Sequence, residues 1–205
     1  MADIAKRRPI DWLIAAVAVG MSYYHLDIAY TGGYEPMFQR TLSYMFGVAL
    51  IFLLRFPEEK GWRAWASGLF LVMALLSIGY PVFFTDYIID RLPYVDPILP
   101  LDYVLGICAI LVSFEATRRT INTTLPLISL FFLVYSYFGP YFPWKLAHKG
   151  ETFTLIIDHQ YMTYDGLWTT PLSVFSVYIF LFILFGAFLD RMGAADFYVK
   201  LSTAV

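Results

Sequence analysis

A single cysteine, Cys108, is the only thiol in the chain. With no second one, an intramolecular disulfide and a thiolate metal cluster are both excluded. A small packing residue is its plainest role. Charge is scarce as well: Asp, Glu, Lys and Arg make up 15% of the residues and nearly cancel, at a formal net −2. That leaves no basic surface for a nucleic acid. Also missing are a glycine-rich phosphate loop, a metal-spaced His/Cys/Glu cluster, a His-Glu-x-x-His helix and a serine elbow. A cleavable signal peptide is absent too. Lys6, Arg7 and Arg8 resemble the basic start of one, but the apolar run after them is long and lacks a small-residue cleavage site. It reads as a retained anchor helix.

What the chain does have is apolar surface. Hydrophobic residues make up 60% of it and aromatics 20%, which excludes an ordinary soluble domain. The fold class is an all-α polytopic membrane protein of about six transmembrane helices plus one surface amphipathic helix, with a cytoplasmic N-terminus.

The reading centres on Asp102–Arg119. Tyr103 to Phe114 carry no charge, so Asp102 and Glu115 sit roughly 20 Å apart along one helix at about 1.5 Å per residue. Arg118 and Arg119 follow Glu115 at i+3 and i+4, on the same helix side. Glu115, Arg118 and Arg119 therefore read as a structural ion pair at a helix exit rather than as a catalytic site. No catalytic residue and no metal ligand is assigned.

The other spans take their places around this one. The first runs from Trp12 to Tyr30 and ends in a tyrosine-rich belt. His25 and Asp27 in that belt read as a wetted helix end, with a proton relay as the alternative. The second lies between Arg40 and Arg55, a short stretch that snorkelling arginines lengthen. The third covers Ala64–Thr85, kinked by Pro81. The segment from Thr85 to Leu101 reads as a solvated acidic connector. The fifth span covers Thr120–Trp144. From Lys145 to Thr170 the pattern is amphipathic: Phe153, Ile157, Tyr161, Tyr164 and Trp168 on one face, Glu151, Thr154, Asp158 and Asp165 on the other. It fits a helix lying flat on the membrane, with Asp158-His159 on its solvated face. Thr170-Pro171 opens the sixth span, Leu172–Leu189.

Six crossings put ten of the 14 Lys and Arg on the cytoplasmic side and leave Arg40, Arg91, Lys145 and Lys149 outside. The positive-inside rule favours that arrangement.

The run DYVLGICAILVSFEATRRT, then LPLISLFFLVYSYFGPYFPWKLAHKG, then YMTYDGLWTTPLSVFSVYIFLFILFGAFLDRMGAADFY resembles the N-terminal part of fused permeases of tripartite ATP-independent periplasmic (TRAP) transporters. It is most similar to the branch that works with TAXI-type solute-binding proteins. The resemblance covers roughly Asp102 to Tyr198, with VYIFLFILFGAFLDRMGA its most specific string.

The resemblance implies a small four-helix scaffold unit over 1–119, a connecting transmembrane helix over 120–144, an arm helix on the periplasmic face over 145–170, and the start of a large transport unit over 171–205. It implies sodium-driven uptake of organic acids or similar small solutes, delivered by a periplasmic TAXI-type binding protein, in a bacterial or archaeal inner membrane. The partners would be that protein, the lipid bilayer and the remainder of the large transport unit. Sodium would bind the complete transporter, and this chain would hold no cofactor. Substrate-site residues are expected downstream of Val205, which makes the chain a natural truncation, half of a split gene or a fragment, unable to transport alone. Two other functions fit the same spans: a non-transporting assembly subunit, and an intramembrane enzyme built on His25/Asp27 or Asp158/His159.

Overall fold

Proline sets where four helices begin. Pro9, Pro36, Pro100 and Pro171 each sit in a first turn, where a missing N–H forfeits no helical bond and φ is already right. The computed structural model describes residues 8–56, 61–194, 197, 200 and 203. Its helices are α1 (Pro9–Thr31), α2 (Pro36–Arg55), α3 (Trp62–Phe83), α4 (Thr85–Asp90), α5 (Pro100–Thr120), α6 (Thr124–Tyr137), α7 (Phe153–Tyr161) and α8 (Thr170–Arg191). No strand occurs among the described residues. Lys6, Arg7, the Glu58–Lys60 loop and most of the chain after Ala194 lie outside them.

Among the described residues five helices, α1, α2, α3, α5 and α8, are long and apolar enough to cross a membrane, so the chain is a multi-pass membrane protein. The expected fifth span is shorter than its apolar run. Helix α6 has 14 residues, about 21 Å at 1.5 Å per residue, against a hydrocarbon core of about 30 Å. The run continues as a 3-10 turn at Gly139–Tyr141, where Pro140 cannot extend the α-helical ladder.

The chain alternates between two ends. At one, Arg55 Nη2 donates to the Arg119 carbonyl at 3.0 Å, and Arg119 Nη1 to Ser67 Oγ at 2.6 Å. At the other, the α1–α2 turn, the loop after α4 and the α7 segment meet through Tyr164–Glu35 and Arg91–Asp158. Among the described residues, Arg55, Ser67 and Arg119 thus share one end of the bundle, and Glu35, Arg91 and Asp158 share the other.

The core lies among α2, α3, α5 and the α7 segment, with Phe52, Ile78, Val112, Ile157, Tyr161 and Trp168 all fully buried. Helix α1 and α8 pack on the far side of α2. Helix α6 buries no residue and touches only α5 and α7 closely. The amphipathic segment differs from its sequence reading. Its helix stops at Tyr161 after 9 residues, and the chain folds back instead of running on to Trp168. Gly166 permits the return, because a Cβ there would meet Gln160 Cα at 2.3 Å.

Candidate functional site

Pro81 lies inside α3. It has no N–H, so the carbonyl four residues earlier, that of Ser77, loses its helical donor. Tyr161 supplies the replacement: its hydroxyl donates to Ser77 O at 2.6 Å, with the whole side chain buried. Gly106 on α5 makes room for this docking. A Cβ at that position would meet Ile157 Cγ2 at 2.7 Å and Tyr161 Cβ at 3.3 Å. The segment is then folded onto itself, with Trp168 Nε1 donating to the Tyr161 carbonyl at 2.6 Å.

Three polar ties fasten it to the neighbouring helices. Arg40 Nη1 donates to Trp168 O at 2.7 Å, and its guanidinium lies 5.2 Å from the Tyr164 ring centre. Tyr164 donates to Glu35 Oε1 at 2.5 Å. Partial burial, then the bonded Glu35 carboxylate, pushes that hydroxyl up to about 12. The third tie is an ion pair. Arg91 Nη1 stands 3.0 Å from Asp158 Oδ1, with side chains only 6% and 4% exposed. Asp158 Oδ2 accepts the Tyr94 N–H at 3.1 Å, and His159 Nδ1 shares a hydrogen bond with the Tyr94 hydroxyl at 2.9 Å.

This corrects two sequence readings. Asp158 is not on a solvated face; it neutralises Arg91 in the interior. The Thr85–Leu101 segment is not merely a solvated connector, since Arg91 turns inward from it. Asp158 and His159 both face residues 91–94, Asp158 through Arg91 and the Tyr94 N–H, His159 through the Tyr94 hydroxyl.

Asp102 is buried at the start of α5. Its Oδ2 accepts the Leu99 N–H at 2.8 Å and the Tyr87 hydroxyl at 2.9 Å. Burial, and then the Asp102 carboxylate, raise the pKa of Tyr87. At the opposite end, Glu115 accepts from Arg118 Nε and Nη2 at 2.7 Å each and from Arg119 Nε at 2.6 Å. Arg119 also lies 5.0 Å from the Phe52 ring centre. One carboxylate thereby holds both arginines, and Arg119 carries the contact across to α2 and α3.

His25 is not a wetted end either. It is fully buried, and its ring stacks on Phe180 of α8 at 4.1 Å between centres. Nδ1 lies 2.7 Å from the Met21 carbonyl, which fixes the proton on that nitrogen. Asp27 faces another way and accepts from the Tyr34 hydroxyl, so the two form no relay. Beside them Gln39 Nε2 donates to Ser176 Oγ at 3.2 Å. This is where α8 meets α1 and α2, and there α8 adopts a π-turn over Phe175–Ile179.

A recess of about 870 Å³ opens between α5, α6 and α7. Ile110, Phe114, Phe132 and Leu155 line much of it, and its lining contains no Lys or Arg. Among the described residues no group of three or more His, Cys, Asp or Glu is placed to hold a metal ion.

Sequence reasoning missed Arg91, Arg40, Tyr161 and Gln39 as tie points. Only Pro81 signalled one of them, by implying a free carbonyl at Ser77.

The comparisons with known proteins bear on the half of the chain that carries α6, α7 and α8. No curated protein and no solved structure matches it. Residues 108–205, just under half of the chain, match the family model described as "Tripartite ATP-independent periplasmic transporter, DctM component", so this half is similar to a membrane component of a TRAP transporter.

Proposed function

We propose that the chain is the scaffold and first transport helix of a sodium-coupled TRAP-type secondary transporter. On this reading it takes up organic acids or similar small solutes handed over by a TAXI-type solute-binding protein. The observation that carries the reading is the family match over residues 108–205. It falls on a chain whose helices divide in two. Helices α2, α3, α5 and α7 share one core, while α8 buries only Ser176. A helix so apolar and so uncovered suits the first member of a larger unit. The scaffold covers 1–119, the connecting helix 120–144, the arm 145–170 and the start of the transport unit 171–205.

Orientation follows from charge. Arg8, Arg55, Arg63, Arg118, Arg119 and Arg191 lie at helix ends that the alternation brings to one side. That side is cytoplasmic under the positive-inside rule, in an inner membrane. The arm and the Arg91 loop then face the periplasm, where the binding protein arrives. The chain's own part is mechanical. The Tyr161, Arg91 and Arg40 ties fix the arm on the scaffold, so the transport unit has a frame at constant height. Sodium and solute bind in the large unit, and the scaffold alone does not transport.

The test is uptake into proteoliposomes holding this chain together with the large transport unit, with the binding protein outside. An inward sodium gradient drives accumulation, and dissipating it stops accumulation. Uptake that needs the binding protein yet ignores the sodium gradient would overturn the reading. The scaffold without the large unit gives no uptake.

A further inference from the structure

Where α2 ends, α3 begins and α5 ends, the three helices enclose a recess of about 520 Å³. Four arginines line it: Arg55 from the last turn of α2, Arg63 from the first turn of α3, and Arg118 and Arg119 from the last turn of α5. Among the described residues Glu115 is the one acid in the lining. Glu58, Glu59 and Lys60 lie in the sequence between α2 and α3, and with them counted the basic residues still outnumber the acids by five to three.

The arginines do not share one task. Arg119 is committed to the fold: it donates to Glu115 and Ser67 and lies over the Phe52 ring. Arg55, Arg63 and Arg118 are exposed. Arg55 and Arg118 suit the negative ends of α2 and α5, where a cation is favourable. Arg63 has no such explanation. It stands at the positive end of α3, where a cation is disfavoured, and its guanidinium lies 5.8 Å from the Trp62 ring centre. That end is also short of negative charge. Gly61 has no side chain to cap the helix, and the first turn holds no acid. A helix start of this kind beside several guanidiniums is stabilised by an anion, and a phosphate matches both groups.

What flanks the recess points to the source of the phosphate. Trp62, Trp65, Leu69, Val72 and Leu76 follow one another at helical spacing along α3 and are all exposed, Trp62 at 75% and Trp65 at 84%. This stripe runs from the rim of the recess along a helix long enough to cross the membrane. Tryptophan at the end of such a helix marks the headgroup level, so the recess lies where lipid phosphates lie. Basic pockets between helices on the cytoplasmic side, the side that charge assigns to this end, suit anionic headgroups.

We propose that this recess binds an anionic phospholipid, with its phosphodiester held by Arg55, Arg63 and Arg118 and its acyl chains laid along the α3 stripe. The proposal needs the chain to sit in a membrane and does not need the transporter reading. Glu115 and Arg119 form the floor, and Glu115 holds the Arg118 guanidinium at the rim through two bonds of 2.7 Å.

The test is native mass spectrometry of the chain released from nanodiscs of equal parts phosphatidylcholine and phosphatidylglycerol. The wild type retains phosphatidylglycerol in preference. Arg63→Gln lowers that preference roughly fivefold with Tm unchanged, Arg63→Gln with Arg118→Gln lowers it further, and Arg63→Lys keeps most of it. Arg191→Gln removes an exposed arginine at the same end but outside the recess, and it leaves the preference unchanged. Equal retention of the two lipids by the wild type overturns the site. Equal losses from Arg63→Gln and Arg191→Gln also overturn it, because they show a diffuse attraction to the surface. Displacement of the retained lipid by millimolar glycerol 3-phosphate assigns the recess to a soluble phosphate ester and overturns the lipid.

Discussion

Tyr161 donates its hydroxyl to the carbonyl of Ser77, 84 positions away in the chain, and that carbonyl is the one Pro81 leaves without a helical donor. The proline gap in α3 is thus a socket for α7. A double-mutant cycle tests it. Tyr161→Phe strands a buried carbonyl and should cost about 1–3 kcal/mol. Pro81→Ala restores an N–H at position 81. In the double variant that N–H reaches Ser77 O, so the second loss of the tyrosine hydroxyl should cost well under half as much. Thermal unfolding in detergent reads both. Additive losses would mean that the hydroxyl and the proline gap are unrelated.

Arg91 and Asp158 predict a different pattern. Both side chains are almost free of solvent, so either one alone becomes an unpaired buried charge. Arg91→Ala and Asp158→Ala should each cost about 3–5 kcal/mol, while Arg91→Met with Asp158→Leu should cost less than either single change. Denaturant unfolding of the four proteins checks this. A double variant as unstable as the sum of the singles would show that the two charges do not neutralise one another.

Glu115 ranks against Asp165 in the same way. The Glu115 side chain is 13% exposed and serves two arginines, whereas Asp165 is exposed. Glu115→Ala should lower stability by about 1–3 kcal/mol through its lost charged hydrogen bonds, and Asp165→Ala by about 0.5 kcal/mol or less. The arginines separate too. Arg118 is 52% exposed and Arg119 only 9%, so Arg119→Ala should be the more damaging. Matching unfolding midpoints for Glu115→Ala and Asp165→Ala would reduce the cluster to a solvated helix end.

How far the sequence carries is visible in these residues. Long apolar runs mark α1, α2, α3, α5 and α8, and a proline opens each of them except α3, because hydropathy and capping are local. The Glu115 cluster is legible for the same reason: its partners lie three and four residues away. His25 and Asp158 read as wetted in the sequence, and the segment carrying Arg91 as a solvated connector, because their partners are far off in the chain. Asp158 is 67 positions from Arg91, and His25 stacks on Phe180. A polar residue near a membrane face looks solvated until tertiary packing supplies the partner. The arm helix was drawn too long because Tyr164 and Trp168 keep its periodicity through a turn that Gly166 makes. The π-turn in α8 left no trace in composition.

That π-turn makes the last prediction. Over Phe175–Ile179 the Phe180 N–H donates to Phe175 O, five residues back. Both rings face His25 in consequence, with centres 6.1 and 4.1 Å from it. In an α-helix the residues that share a face are four apart. Removing one residue between Phe175 and Phe180 therefore turns an i,i+5 pair into an i,i+4 pair and keeps both rings on His25. Deletion of Tyr178, which is 60% exposed, should leave the α1–α8 contact intact and change stability by about 1 kcal/mol or less. Leu26 is similarly exposed, at 53%, but lies in a regular α-helix. Its deletion rotates buried Ile28 by about 100° and should cost several times more. Thermal unfolding of the two deletions decides the matter, and equal losses would mean that the π-turn does not set the register of α8 on His25.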